Sequence, residues 1–467
     1  MKVIIQNLGI IHYAEFSPAE LTLICGNNNS GKTYVTYALF GFFTLWKQLI
    51  TSKVPDDLIE QLWKDSHIDL DMCDYKNTFQ DILNTACQKY VVLLPRVFAT
   101  KPERFKETKF SIELEEDDIK LDLPYHNESG SGTTNIISVD KATGSTKISI
   151  TLLTDKKNIK ITKNSLSNYI NYTLTEIIFS QLFPKTYIAS TERTGAAIFR
   201  KELDFARNRL IAEIAANAAN AVKADNTLEL VTKSYQDYAL PVNANVDFAR
   251  NLETIAKEKS YIANEFPELL EIFSDIIGGD YQVKKEELFY VPQKSKTRLT
   301  MQESSSSVRS LLDVGFYLKH VIQKGDFLII DEPELNLHPS NQRRMARLFA
   351  QLVNAGIRVF VTTHSDYLIR ELNTLIMLHG NGQPMRALAT EEGYQETEIL
   401  NVSKVRIYIA EKAYTKTKKT KCQTLTLAHI DSIYGIEVTT FDDTIRNMNH
   451  IQDRILEEIE RGEHDGC

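Results

Sequence analysis

An eight-residue segment near the N-terminus constrains the fold of this 467-residue chain more than any other feature. The phosphate-loop pattern G-x-x-x-x-G-K-[ST] is matched by Gly26-Asn27-Asn28-Asn29-Ser30-Gly31-Lys32-Thr33. An apolar strand precedes this segment at 22–25, and an apolar helix follows it at 34–50. The two glycines permit a close backbone approach to phosphate that a Cβ would block, and the helix N-terminus adds partial positive charge. The segment predicts a bound nucleoside triphosphate, with Lys32 reaching its β/γ-phosphates and Thr33 ligating Mg²⁺.

A second segment far downstream supplies paired carboxylates. Phe327-Leu328-Ile329-Ile330 is an apolar run typical of a buried strand, and it ends in Asp331-Glu332-Pro333. Together the two segments predict a protein that binds a nucleoside triphosphate with magnesium and hydrolyses it.

Composition excludes several classes of protein. The hydrophobic fraction of 43% and the charged fraction of 25% are ordinary for a globular protein, and a net charge of -8 argues against a nucleic-acid-coating protein. The five cysteines are scattered without a C-x-x-C pair, so neither a zinc ribbon nor a disulfide framework is indicated. The N-terminus lacks a signal-peptide layout. We expect a cytoplasmic protein with no membrane contact.

Local patterns predict the order of elements. Three strands, Val3–Ile5, Ile10–Phe16 and Leu21–Cys25, lead into the phosphate loop. Alternation over Phe110–Ile161 predicts an antiparallel β-meander. Further predicted elements are a helix at Leu166–Gln181, a strand at Thr186–Ser190, helices over Phe199–Ile277, and a hairpin of Glu286–Val291 with Arg298–Gln302.

Serines and a histidine flank the acidic strand. Ser304-Ser305-Ser306-Ser307 precedes a predicted amphipathic helix, Val308–Gln323, and serines in that place are often plain caps. A helix predicted at Ser340–Asn354 follows the acidic strand. The next apolar strand, Val359–Thr363, ends at His364.

The phosphate loop, serine-led helix, acidic strand and strand-terminal histidine resemble the ABC-type ATPase heads of the SMC, RecF and double-strand-break-repair families. Leu337-His338-Pro339 and Thr362-Thr363-His364-Ser365 are most similar to a stand-alone branch. That branch includes OLD-type nuclease ATPases and phage-defence ATPases such as the ATPase subunits of the Septu and PARIS systems. The resemblance covers the first fifty residues and roughly 300 to 375. It implies an α/β fold: a P-loop ABC-type head with a mixed sheet, an antiparallel β-subdomain and a short helical insert.

The resemblance also implies roles for individual residues. Asp331 would hold Mg²⁺ together with Thr33, Glu332 would orient or deprotonate the attacking water, and His364 would contact the γ-phosphate. Ser306 or Ser307 would reach nucleotide bound to a second subunit, so a head-to-head dimer or higher oligomer is implied.

Three departures from the family pattern stand out. The signature lacks Gly-Gly after serine, His338 replaces an expected Asp, and no glutamine loop is evident. The nearest candidate for that loop contains Glu192 and Arg193. This pair is expected either to act at the nucleotide or the partner subunit, or to form an ordinary salt-bridged turn. The departures are compatible with slow turnover, or with ATP used as an assembly clamp.

These patterns divide the chain into segments. The predicted segments are an ATPase core at 1–50 and 290–400, a mixed helical and antiparallel β region at 51–198, a helical insert at 199–285, and a partner-binding tail at 401–467. The tail contains a basic run, Lys404 to Lys421, and an amphipathic helix, Thr444 to Arg461. The basic run indicates either a solvated face or a contact with nucleic acid or an acidic partner.

Three hypotheses about function follow. The first is an oligomeric ATPase that senses phage infection and controls a separate effector, a nuclease, in antiviral defence. The second is a RecF-like DNA-repair ATPase that acts directly on DNA. The third is a self-sufficient nuclease using a metal near His429 and Asp431, although two ligands without a third are more often incidental.

Overall fold

A computed structural model describes residues 1–115, 117–131, 134–153, 162–199, 238–284, 287–380, 383–416, 418–431, 433–436 and 448–456. Two predicted elements therefore lie largely or partly outside the described residues. Of the helical insert, residues 200–237 lie outside the described ranges. Of the final helix, residues 444–447 and 457–461 lie outside them, and residues 448–456 are helical. None of the described helices is both long and apolar enough to cross a membrane.

The described strands are β1 Lys2–Leu8, β2 Ile11–Phe16, β3 Leu21–Cys25, β4 His67–Asp71, β5 Lys109–Glu113, β6 Tyr125–Ser131, β7 Thr134–Lys141, β8 Lys147–Leu152, β9 Thr186–Ala189, β10 Gly279–Lys284, β11 Glu287–Pro292, β12 Phe327–Asp331, β13 Arg358–Thr363, β14 Val405–Thr415, β15 Lys418–Leu427, β16 Ile430–Asp431 and β17 Gly435–Ile436.

The described helices are α1 Lys32–Leu49, α2 Asp56–Asp65, α3 Phe79–Phe98, α4 Lys163–Phe179, α5 Arg193–Ile198, α6 Leu240–Arg250, α7 Leu252–Ile255, α8 Tyr261–Glu265, α9 Pro267–Ile277, α10 Ser306–Ser310, α11 Leu312–His320, α12 Pro339–Asn354, α13 Asp366–Gly380 and α14 Gln383–Glu391.

The chain divides into two compact units. The described part of the first comprises Met1–Ser17, Tyr37–Tyr187 and 238–241. It contains β1 paired antiparallel with both β2 and β5, and a separate antiparallel sheet in the order β4-β8-β7-β6. Edge-on aromatic pairs fill its core, with the ring of Phe42 5.3 Å from those of Tyr90 and Phe183. The predicted antiparallel β-subdomain is confirmed, although β5 pairs with β1 instead of joining the meander.

The second unit carries a mixed sheet. Its described part comprises Pro18–Thr36, 188–199 and the residues from Val242 onward. Within it, β14, β3, β13 and β12 run parallel, and β15 pairs antiparallel with β14. Every residue of β3 and β12 is buried, as expected for parallel strands covered on both faces.

The register of the parallel strands decides where the functional segments meet. Cys25 of β3 lies beside Thr363 of β13, and Asp331 of β12 lies beside Thr362. The carboxyl ends of these strands therefore share one edge, where ligands bind in open α/β sheets. The phosphate loop, the paired carboxylates and His364 all follow from this edge.

Strand β14 extends past this edge. Val405–Ile409 pair with β3, whereas the rest of β14 pairs only with β15. Residues of the predicted tail, which was expected to begin at 401 after the ATPase core, thus lie in the same sheet as β3, the strand that precedes the phosphate loop. Backbone atoms of Ala410 approach Gly26 so closely that a Cβ there would lie 2.6 Å from the Ala410 carbonyl oxygen.

Two predicted elements differ in the structure. The helix expected over Val308–Gln323 is interrupted at Leu311, whose backbone (φ -106, ψ 4) is not helical, so it forms α10 and α11. The predicted hairpin partner Arg298–Gln302 is wrong, because β11 pairs with β10 and only Leu299 bridges to Tyr290. In both places the alternation or periodicity of the sequence continues across the observed boundary, so tertiary contacts determine where the helix or strand ends.

Candidate functional site

The phosphate loop has the backbone that its glycines predict. Gly26 and Gly31 adopt φ values of 143° and 95°, and Asn29 adopts 58°, in the region that favours glycine and asparagine. Helix α1 begins at Lys32, directly after the loop. Asn27, Asn28 and Asn29 are exposed, and Ser30 is buried with a hydroxyl that has no hydrogen-bond partner among the described residues. The loop is thus an open nest of backbone at a helix N-terminus, a geometry that binds anions.

Lys32 is held at the centre of the loop. Its side chain is only 6% exposed, and Nζ donates to the carbonyl oxygens of Gly26 at 2.9 Å and Asn27 at 3.0 Å. Burial lowers the pKa of Lys32, while the nearby carboxylates of Glu332 and Asp331 oppose that effect. The two carbonyl oxygens thus hold the ammonium group within the phosphate loop.

Asp331 lies next to the first turn of α1. Its Oδ2 is 3.4 Å from Oγ1 of Thr33, and the Thr362 hydroxyl donates to its other oxygen. Asp331 is 1% exposed, and burial raises its pKa to about 6. Carboxylate and hydroxyl oxygens suit Mg²⁺, and a divalent cation would stabilise the buried charge, so these two residues fit a magnesium site.

Glu332 has an unusual backbone conformation. Its φ of 51° is left-handed, which is uncommon for a residue with a Cβ and costs about 1–2 kcal/mol. Its N–H donates to the Thr362 carbonyl at 3.0 Å, so β12 is tied to β13 beyond the last ladder pair. Strain of this kind persists where surrounding contacts enforce it, and it is concentrated at functional sites.

His364 lies between two carboxylates. Its Nδ1 is 3.5 Å from Oε1 of Glu332 and 3.3 Å from Oε1 of Glu334. The hydrogen bond with Glu332 raises the pKa of His364, and the same contact lowers the pKa of Glu332. The structure therefore brings the predicted strand-terminal histidine to the second predicted carboxylate.

Glu334 was missed by sequence reasoning. It is buried, and its Oε1 accepts from the Thr363 hydroxyl and from the His364 N–H, both at 2.7 Å. The other oxygen, Oε2, has no hydrogen-bond partner among the described residues. An acidic residue in the turn after Asp331-Glu332-Pro333 was the only available signal, and its partners come from a distant strand.

Ser306 and Ser307 lie at the start of α10. Ser305 is the N-cap, with its side chain accepting from Val308 N, so the capping role belongs to a neighbour. Ser306 is exposed and Ser307 half-buried; the Ser306 hydroxyl accepts from the Arg309 guanidinium, and the Ser307 hydroxyl contacts that of Ser305. These contacts are local, and the Ser306 surface is open.

His338 and Arg193 have structural partners. His338 caps α12 through Nδ1, which accepts from Ser340 N. Glu192 is exposed, but Arg193 is 1% exposed and its guanidinium donates to backbone carbonyls. Arg193 is therefore engaged inside the protein, and a contact of the Glu192–Arg193 pair with nucleotide or a partner subunit stays a prediction for the exposed Glu192.

Near the C-terminal end, Asp431 accepts from the N–H groups of Ile433 and Tyr434, which closes a turn. Within the described ranges, no group of three or more His, Cys, Asp or Glu side chains is arranged to hold a metal ion.

The ion pair between Glu332 and His364 predicts that the free energy of unfolding contains a contribution that depends on pH. It contributes fully between the ordinary pKa values of Glu and His, 4.5 and 6.5. The contribution falls as pH drops through the lowered pKa of Glu332, and it is lost as pH rises through the raised pKa of His364. The free energy of unfolding in urea should differ between the wild type and His364→Gln by up to about 1 kcal/mol near pH 5–6, a size limited by solvent screening.

That difference should shrink as pH rises through the raised pKa of His364, because the histidine then loses its charge in the folded as well as the unfolded state. The control for the substitution itself is His429→Gln, at an exposed histidine outside the site. A difference between wild type and His364→Gln that stays constant from pH 5 to pH 9 would contradict the ion pair.

Residues 1–369 match the family model AAA_15, described as AAA ATPase domain. Among solved structures, the chain is similar to an Smc head bound to the C-winged helix domain of ScpA (12% identity, TM-score 0.34, 91% of this chain and 97% of that chain). It is also similar to the SMC head domain from Thermotoga maritima (9% identity, TM-score 0.31, 92% of this chain and 98% of that chain). A third similar structure is an Smc head domain with an extended coiled coil bound to the C-terminal domain of ScpA, from Pyrococcus furiosus (11% identity, TM-score 0.29, 97% of this chain and 98% of that chain). No curated protein matches the sequence.

The family match extends over most of the chain and includes the phosphate loop, the acidic strand and His364. These are the segments that the parallel sheet brings to one edge. The chain therefore belongs to the AAA ATPase domain family and is an ATPase.

Proposed function

We propose that the shared sheet edge binds ATP with Mg²⁺ and hydrolyses it. The observation that carries this proposal is the convergence of Lys32, Thr33, Asp331, Glu332 and His364 at the ends of β3, β12 and β13. The loop amides and Lys32 would hold the phosphates, and Thr33 with Asp331 would hold the metal, which neutralises phosphate charge when bound.

Glu332 would be the water-activating carboxylate. It stays ionised because its pKa is lowered, and its side chain remains partly exposed, next to Lys32 and His364. His364, with its raised pKa, would carry positive charge toward the terminal phosphate. Glu334 holds the backbone and ring of His364 in place.

We further propose that the active assembly is a head-to-head dimer. Ser306 is exposed at a helix start and Ser307 is half-buried there, so this surface is available to nucleotide held by a second copy. Each chain would then complete the other's site, and ATP would act as the adhesive between heads. Slow turnover or a clamp-like role fits the absence of Gly-Gly after the serines.

Replacement of both serines by alanine tests the shared site. The Ser306→Ala/Ser307→Ala chain should bind ATP within about threefold of wild type and lose ATP-dependent dimerisation. Its hydrolysis should fall by about a hundredfold to a thousandfold, the cost of removing a transition-state donor. Light scattering with and without ATP measures the dimer.

The exposed Ser403→Ala, at the far end of the sheet, is the matched control and should behave as wild type. An alanine pair that still dimerises and hydrolyses ATP normally would contradict the shared site.

The output of the switch is proposed to lie in a separate effector, a nuclease, in defence against phage. Support comes from the resemblance of Leu337-His338-Pro339 and Thr362-Thr363-His364-Ser365 to phage-defence ATPases. Bacteria that carry the chain with its neighbouring genes should resist phage infection. Resistance that survives Lys32→Ala, or that needs no neighbouring gene, would contradict this output.

Neither the family match nor the site geometry favours the RecF-like alternative. Any nucleic-acid contact would lie at the β14–β15 tip, where Lys412, Lys416, Lys418 and Lys421 are exposed beside Tyr414. Lys404, at the other end of the basic run, is engaged with Glu20 at 3.3 Å. Strong salt dependence of DNA binding, reduced by charge reversal at the tip alone, would support that contact.

A further inference from the structure

Arg193 is the largest fully buried side chain among the described residues. Its three guanidinium nitrogens donate to five backbone carbonyls. The acceptors are the oxygens of Ser310 at 2.7 Å, Ala189 at 3.4 Å, Ser190 at 2.7 Å, Asp331 at 2.6 Å and Glu332 at 2.9 Å. A buried guanidinium is costly unless its donors are satisfied, so this network is specific to arginine.

These five carbonyls come from three segments of the candidate site. Two lie at the end of β9, where Ala189 is its last residue and Ser190 follows; two belong to the carboxylate residues at the end of β12, and one is the last residue of α10. Helix α10 begins at Ser306, so one side chain joins the serine-bearing helix to the backbone of Asp331 and Glu332.

A second contact runs alongside this network. The Ser310 hydroxyl lies 3.0 Å from the Ser307 carbonyl and 3.2 Å from the Leu335 carbonyl, just beyond the carboxylates. Glu332 is also the residue with the left-handed backbone, and the Arg193 contact to its carbonyl helps to hold that conformation.

We propose that Arg193 is a positioning residue that fixes the backbone of Asp331 and Glu332 and couples it to the helix carrying Ser306 and Ser307. Docking of a second copy on α10 is then transmitted to the two carboxylates through one rigid group. This inference rests on the proposed shared site at the serines.

The conservative Arg193→Lys substitution tests the role. Lysine keeps the charge, but its ammonium cannot span five acceptors in three segments. We expect kcat to fall by about tenfold to a hundredfold, the scale expected when reacting groups are displaced by about 1 Å, with ATP affinity within about threefold of wild type. Arg347→Lys is the matched control, because Arg347 pairs with Glu371 and stacks on Tyr394 outside the site.

A role limited to stability would lower the melting temperature without changing kcat per folded chain. A double-mutant cycle separates the two roles further. When Arg193→Lys is combined with Ser306→Ala/Ser307→Ala, the loss in kcat should be smaller than the product of the separate losses. Wild-type kcat in folded Arg193→Lys, or fully multiplicative losses, would overturn the proposal.

Hydrogen exchange on the wild-type chain keeps the proposal testable if Arg193 variants do not fold. ATP should slow amide exchange in α5 and at Asp331–Glu332 together with α10. Protection confined to α10 would overturn the coupling. If Arg193→Lys hydrolyses ATP normally while Lys32→Ala and Glu332→Gln are inactive, only the positioning role of Arg193 is rejected. If Glu332→Gln is active, the proposed function itself is rejected.

Discussion

Glu332→Gln should retain ATP binding and lose hydrolysis by at least about a hundredfold, the usual range for removing a general base. Glutamine has nearly the same shape but cannot accept a proton from water. The substitution also removes the charged partner of His364 at 3.5 Å, and with it the contact that contributes most to the raised pKa of that histidine. Because turnover is blocked while binding persists, the ATP-bound dimer should accumulate.

Three measurements check this outcome: steady-state phosphate release, equilibrium nucleotide binding and light scattering in ATP. Glu396→Gln is the matched control, since Glu396 is exposed and lies outside the site. A Glu332→Gln chain that hydrolyses ATP at the wild-type rate would remove Glu332 from the mechanism. A chain that is inactive but monomeric in ATP would instead reject the dimer.

Lys32→Ala should weaken ATP binding by at least about 30-fold. In the complex, Lys32 and a phosphate of ATP would form a buried, hydrogen-bonded charge pair. Truncating one member of such a pair costs about 2–5 kcal/mol, which corresponds to a loss of about 30-fold to more than 1000-fold in affinity. The folded chain should not suffer, because Lys32 is buried at the cost of a lowered pKa and donates only to loop carbonyls. The melting temperature should therefore remain close to that of wild type.

Isothermal titration with ATP and Mg²⁺ measures the affinity, and calorimetry measures the melting temperature. Lys47→Ala is the matched control: it lies on the same helix but pairs with Glu176. Retained affinity in Lys32→Ala would contradict the phosphate loop as the binding site. A large loss of stability would show that Lys32 supports the fold instead.

Local chemistry made part of this structure predictable. Glycine spacing defines the loop between β3 and α1, because few other residues tolerate φ values of 143° and 95°. Continuous apolar runs predicted β12 and β13, since parallel strands are buried on both faces. These signals lie within a few residues of one another and need no distant partner.

Other features depended on distant partners. The serine-led helix ends at Ser310 instead of running on, and Glu334 meets His364 only because β12 and β13 are adjacent. Strand β14 joins β3 from the far end of the sequence, which its basic composition did not indicate. Each depends on which strand lies beside which, and periodicity carries no such information.

The sequence alone determined the phosphate loop, the acidic strand, the strand-terminal histidine and the ATPase class, since each depends on short-range residue chemistry. Only the tertiary structure decided how those parts are held together. It buried Arg193 among five carbonyls, placed His364 between Glu332 and Glu334, and left Ser306 open at a helix start. The physical reason is that buried polar groups must find partners, and those partners are set by strand order and register.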